Sequence, residues 1–236
     1  MPIATVARRT VLSTALALIW ASSLTAQATS TRPGAYDPDK TAILLVDPFN
    51  DFISEGGKLW GATRSTAEEV HLLPNLKRLL AGARAAGIQI VYVPHHHSVQ
   101  GDLEGWEFPT PTQRGVQRAM IFEEGSWGAE YHPDLQMQPG DLEAHQHWVS
   151  SGFANTDLDL LLRSRGIDHV VLAGIRANTC VESTGRYAVE LGYHATLIKD
   201  AIAAFSADEM RATVEVNFPA FGHAVLSTDE FLAQIQ

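Results

Sequence analysis

Short apolar runs alternate with amphipathic stretches from residue 41 almost to the C-terminus, and few architectures accept that order. Residues 41–46, Thr-Ala-Ile-Leu-Leu-Val, read as a buried strand that stops at Asp47. Leu72, Leu73, Leu76, Leu79, Leu80 and Ala83 give residues 66–86 the three-and-four spacing of a helix closed by Gly87. A second strand over 89–93 runs into Pro94 and the run His95-His96-His97. Residues 101–140 hold no lasting period and read as long loops with one short helix. Regularity returns with a helix over 156–165, a strand over 169–173, a turn over 174–179 and a helix over 180–191. Strands over 194–198 and 223–226 and helices around 207–216 and 228–235 complete the chain. Strictly alternating elements predict one α/β domain, a three-layer α/β/α sandwich with a mostly parallel, Rossmann-like sheet.

The N-terminus stands apart. Arg8 and Arg9 precede an apolar, uncharged stretch from Thr10 to Leu24, and Ala26-Gln27-Ala28 offers a small-x-small cleavage site. Residues 1–28 read as a signal peptide, because the apolar stretch is shorter than the ~20 residues that span a bilayer. The paired arginines leave a twin-arginine route and a general route both open. Residues 29–40 are a lead-in, and 41–236 the domain proper, in a periplasmic or secreted protein. Cleavage removes two arginines and no acid, taking the net charge from −10 to −12. Such a surface repels phosphate backbones, and no basic cluster longer than Lys77-Arg78 follows residue 28, so nucleic-acid binding is set aside.

An exported protein normally pairs its cysteines or dispenses with them, yet this chain keeps one, Cys180. A lone cysteine is often a small buried apolar residue. Its position argues for more. In a parallel sheet, ligands bind beyond the carboxyl ends of the strands, where Asp47, His95 to His97 and Cys180 should all collect. Cys180 opens a predicted helix, whose unpaired N–H groups favour a thiolate. A thiolate there can attack a carbonyl, the N–H groups of the turn can hold the oxyanion, and Asp47 can shuttle the proton.

Three segments carry a family resemblance: Leu44-Leu45-Val46-Asp47-Pro48-Phe49-Asn50-Asp51-Phe52, Ser151-Gly152-Phe153-Ala154-Asn155-Thr156-Asp157-Leu158, and residues 171–184 around Gly174-Ile175-Arg176-Ala177-Asn178-Thr179-Cys180. In order and spacing the chain, from Ala42 to Leu232, resembles the isochorismatase-like cysteine hydrolases, which include nicotinamidases and other small-amide hydrolases. The resemblance implies Asp47 as general acid/base, Cys180 as nucleophile, an oxyanion hole from the N–H groups of Arg176 and Cys180, a cis peptide between Ile175 and Arg176, and a homo-oligomer acting on a small molecule without an organic cofactor.

One departure stands out. The family's third catalytic residue is a lysine shortly before the Ser-Gly-Phe segment, and here His147 fills that place. The chain's lysines are Lys40, Lys58, Lys77 and Lys199, none of them in that slot. His147 is therefore expected to substitute in the triad, the rivals being that another group serves or that activity is lost. The nicotinamidases bind a metal through an Asp-x-His pair, but Val93-Pro94-His95 lacks the aspartate, and adjacent residues at a strand end point to opposite sides. No metal is expected there, and His95 is read as lining the substrate pocket. Phe49, Trp148 and Phe153 are read with it as pocket walls, and Trp60, Trp106 and Trp127 as further candidates. Cleavage of a C–N bond through an acyl-Cys180 intermediate is the leading expectation. Vinyl-ether hydrolysis without a covalent cysteine and a non-catalytic binding protein are the alternatives.

Overall fold

The structure, a computed structural model, describes residues 35–235, so the signal peptide read over residues 1–28 lies outside the described residues. Six strands form one sheet: β1 (Thr41–Val46), β2 (Gln89–Val93), β3 (Leu142–Glu143), β4 (His169–Ile175), β5 (His194–Ala203) and β6 (Ala224–Leu226). Their order is β3-β2-β1-β4-β5-β6 and every neighbouring pair is parallel. β1 alternates between two cores: Ile43 and Leu45 face one side, Ala42, Leu44 and Val46 the other, and all are fully buried. A strand covered on both faces must be apolar at every position, which is why residues 41–46 show no polar alternation.

Nine α-helical segments surround the sheet among the described residues: α1 (Asn50–Ile53), α2 (Trp60–Glu69), α3 (Leu72–Ala85), α4 (Pro111–Ala119), α5 (Leu158–Arg163), α6 (Glu182–Glu190), α7 (Ala207–Arg211), α8 (Phe218–Phe221) and α9 (Thr228–Leu232). α3 buries Leu72, Leu76, Leu79, Leu80 and Ala83 in one core, joined by Phe231 of α9. Leu158 and Leu162 of α5, Ala188 of α6 and Phe218 of α8 pack into the other. Helices on both faces complete the three layers. No described helix is long and apolar enough to cross a membrane.

Some boundaries differ from the sequence reading, each for a local reason. The helix expected over 66–86 is two helices, broken where His71 takes a left-handed φ of 53°. Pro74 forbids a continuous helix, since its ring would clash with the carbonyl of Val70. Asn75 Nδ2 donates instead to that carbonyl, at 2.8 Å. The helix around 207–216 continues to Phe221 through a π-helical segment, Ala212–Asn217, because Pro219 has no N–H to keep the ladder regular. β5 runs past Ile198, and after a register shift its end re-pairs with Gly174 and Ile175. The folded unit also starts before Thr41: Tyr36 is buried, stands edge-on to Phe231 and shares a 2.8 Å hydrogen bond with Thr196.

Candidate active site

Parallel pairing places the carboxyl ends of all strands at one edge. Val46 is in register with both Val93 and Gly174, so the residues that follow β1, β2 and β4 emerge side by side. The strand order reverses direction between β1 and β4, and the crevice formed at such a switch point is where doubly wound sheets hold ligands. Gly174 makes the close approach feasible: a Cβ there would sit 2.0 Å from the carbonyl oxygen of Val46, and its φ is 114°.

Asp47 leaves β1 with a left-handed φ of 49°, a conformation that Asp tolerates better than most residues. Its N–H donates to the Val93 carbonyl at 3.2 Å, and its carbonyl accepts from Phe49 N–H at 2.8 Å. The buried carboxylate of Asp51 accepts from Lys58 N–H and Phe122 N–H, which ties the helix after Asp47 to the cavity wall. His147 arrives from the sheet's far edge. Beyond β3 the chain keeps pairing with β2's extension: Ala144 N–H donates to Tyr92, His147 N–H to Pro94, and His96 N–H to His147. Gly152 has no room for a Cβ against Val93, and its N–H donates to Thr184 Oγ1 at 2.9 Å, which explains the Ser-Gly-Phe segment.

Cys180 lies in a π-helical turn, Ala177–Val181, closed by Val181 N–H donating to the Arg176 carbonyl at 3.1 Å. The peptide between Ile175 and Arg176 is cis. This wider turn replaces the ordinary helix start expected at Cys180, and the electrostatics differ as well. Burial, followed by the charge of Asp47, pushes the thiol well above its usual range, while the Arg176 N–H and the Thr179 hydroxyl pull weakly the other way. Both leading effects favour the thiol, the opposite of the thiolate that a helix terminus alone would favour.

Asp47, His147 and Cys180 converge: one polar atom of each lies within 4.8 Å of the others. His147 Nε2 is 3.2 Å from Asp47 Oδ1, and both side chains are fully buried. Asp47 Oδ2 has no hydrogen-bond partner among the described residues, so one carboxylate oxygen stays available for a proton.

The triad opens into a cavity of about 470 Å³, whose wall includes Asp47, His95, Trp148, Arg176 and Cys180. His95 Nδ1 lies 2.9 Å from the His96 carbonyl, and burial brings the imidazole down to about 4, so it is neutral near pH 7. Trp148 stacks on His96 at 3.6 Å between ring centroids, and Asp102 holds His96 from the other side at 3.0 Å. Two expected wall residues are elsewhere. Phe49 is in the core, stacked on Tyr131, and Phe153 packs beside Tyr193 in the opposite core. Phe49 stands behind the wall, its ring 4.8 Å from that of Phe122, and both rings are spent on core packing. Phe122 and Phe205 line the cavity in their place. The Arg176 side chain also lines it, its guanidinium 4.3 Å above the Phe205 ring, with Nε donating to Asn178 at 3.0 Å and Glu209 3.6 Å away.

Comparison with known proteins agrees with this architecture. The family model described as the isochorismatase domain matches residues 41–230. The ureidoacrylate amidohydrolase RutB of Caulobacter segnis is 31% identical over 209 residues, covering 84% of this chain and 87% of that protein. The RutB of Caulobacter vibrioides strain CB 15 is 32% identical, with 84% and 92% covered. A cysteine hydrolase from Pseudomonas syringae pv. phaseolicola superposes with a TM-score of 0.71 at 29% identity, over 85% of this chain and 94% of that one. N-carbamoylsarcosine amidase from Thermoplasma acidophilum superposes with a TM-score of 0.60 at 26% identity, over 80% and 97%. The chain belongs to the isochorismatase family of hydrolases.

Proposed function

We propose that the protein hydrolyses the C–N bond of a small amide or ureide through an S-acyl intermediate on Cys180. The observation that carries this is the convergence of a buried thiol, a carboxylate with one free oxygen and an imidazole at the inner end of one cavity. Asp47 takes the thiol proton as Sγ attacks the carbonyl carbon, and the N–H groups of Arg176 and Cys180 receive the oxyanion. Collapse expels the amine, which leaves with the proton from Asp47. Water then attacks the thioester or S-carbamoyl group, giving its proton to Asp47, and the second collapse returns that proton to sulfur. His147 replaces the family lysine by holding Asp47 Oδ1 and orienting the carboxylate.

The substrate class follows from the cavity and the relatives. RutB and N-carbamoylsarcosine amidase are named for substrates that join a carbamoyl nitrogen to a carboxylic acid. Arg176 is the one Lys or Arg side chain among the described cavity-lining residues, and we assign it the carboxylate of a ureido acid. Ammonia release from paired acidic and neutral ureides tests both points. Acidic ureides should be turned over with the lower KM, Arg176→Ala should raise that KM about tenfold without affecting neutral amides, and Cys180→Ala should be silent. Turnover that survives in Cys180→Ala would favour vinyl-ether-type chemistry without a covalent cysteine.

We propose also that residues 1–28 export the protein to the periplasm or medium, checked by N-terminal sequencing of the mature chain. We propose, from the resemblance to its family, that the chain forms a homo-oligomer, checked by light scattering.

A further inference from the structure

The triad combines three atoms of the kinds that bind zinc. Asp47 offers a carboxylate oxygen, His147 an imidazole nitrogen and Cys180 a sulfur, all buried and within 4.8 Å of one another. A tetrahedral zinc ion with bonds of about 2.0–2.3 Å needs such atoms roughly 3.3–3.6 Å apart. The nitrogen and one carboxylate oxygen are already 3.2 Å apart, and the sulfur, within 4.8 Å of both residues' ligand atoms, needs to close by no more than about 1.5 Å. The carboxylate itself points the same way: Asp47 is fully buried, and apart from the adjacent Cys180 thiol its Oδ2 has no partner among the described residues. An unpaired buried carboxylate oxygen is costly, and a cation satisfies it.

The exchange of lysine for His147 is what opens this possibility. An ammonium in that slot would repel a cation and offer no lone pair, whereas imidazole is among the commonest zinc ligands. The hydrogen bond to Asp47 Oδ1 keeps the ring proton on Nε2, but Nδ1 has no hydrogen-bond partner among the described residues, so a cation that takes the place of that hydrogen bond can drive the proton across to Nδ1. With the proton on Nδ1, Nε2 presents its lone pair to the shared space.

We propose that Asp47, His147 and Cys180 together bind a thiophilic divalent cation such as zinc, and that its binding switches the hydrolase off. On coordination the Cys180 S–H bond breaks, its proton leaves to solvent, and the sulfur lone pair forms a bond to the metal; no electron is transferred. Sulfur held in this way cannot attack a carbonyl, and the Asp47 oxygen that should accept the thiol proton is occupied. Because Asp47 and Cys180 line the cavity, the cation enters from there, and its remaining position is filled by water from that side. The site rests on the triad's geometry, not on which substrate the enzyme takes.

Cobalt titration of the metal-free, reduced full-length protein tests this without any assay of turnover. One equivalent of Co²⁺ should give a thiolate-to-cobalt charge-transfer band together with tetrahedral d–d bands, and Zn²⁺ should bleach both. Cys180→Ser should lose the charge-transfer band, and so should His147→Lys, with thermal melting confirming that each variant is folded. In wild type alone, one equivalent of Zn²⁺ should slow alkylation of Cys180 by iodoacetamide about tenfold, reversed by EDTA. Cobalt bands without charge transfer would place the metal on surface histidines and overturn the proposal. An unchanged alkylation rate, or an intact thiolate band in His147→Lys, would overturn it equally.

Discussion

At the scale of single residues, His147 is where this chain departs from its family. Its Nε2 is the neighbour of Asp47 Oδ1 inside a fully buried pair, so truncation leaves a buried carboxylate with only the Cys180 thiol beside it. His147→Ala should lower kcat by about 10²–10⁴-fold, whereas His147→Lys, which restores the family's own residue, should stay within about tenfold of wild type. Steady-state kinetics on the pair check this, and an alanine variant with wild-type kcat contradicts it. Asp47 and Cys180 were legible in the sequence because apolar strands lead to both and the surrounding patterns are specific. His147 was legible only through the lysine it replaces. Phe49 and Phe153 were misplaced because an aromatic side chain does not declare which side of a strand end it packs on. Asp51, Thr184 and Phe205 were missed because their partners or their cavity lie far along the chain, the Asp51 to Phe122 bond alone spanning 71 positions.

At the scale of elements, the crevice depends on how closely β4 approaches β1. Gly174→Ala puts a Cβ 2.0 Å from a backbone oxygen at a φ of 114°, which side chains rarely adopt. It should cost about 3 kcal/mol or more. Gly61, exposed in α2 with nothing near its Cβ position, is the control: Gly61→Ala should gain about 0.5–1 kcal/mol. Urea denaturation of the two variants against wild type separates them, and equal stabilities would contradict the packing described. Strands and long helices were readable because their apolar periods survive in one sequence window. Element ends were less so. Pro74 did announce the break between α2 and α3, but the leucines around it gave a period strong enough to mask it. β3, two residues long, carries no period at all, and its identity comes only from pairing with β2.

At the scale of the molecule, the sheet has a carboxyl edge that carries the candidate site and an opposite edge with a different character. There His194, which opens β5, stacks between His169 and His223, with ring centroids 4.6 and 4.4 Å apart and Tyr36 edge-on. Burial, then the two neighbouring imidazoles, bring His194 down to about 4, only partly offset by Asp168. Above about pH 6.5 the group is neutral in both folded and unfolded chains and contributes nothing. Below that the unfolded chain takes a proton that the folded chain refuses, so stability falls as pH drops toward 4, by on the order of 1–2 kcal/mol for a half-buried ring. Urea midpoints for wild type and His194→Gln at about pH 7.5 and 5 check the sign; a wild type that loses no more than the variant contradicts it. The parallel architecture and its carboxyl-edge site were legible as a whole because alternation of strand and helix leaves little choice. The pairing of distant histidines on the far edge was not, since only the strand order brings them together. The central claim is covalent catalysis, and acid-quenched mass spectrometry during turnover of a ureido acid tests it most directly. An acyl or carbamoyl increment is expected on the peptide that contains Cys180, absent from Asp47→Asn. Wild-type turnover without any such adduct, matched by an active Cys180→Ala, would contradict it.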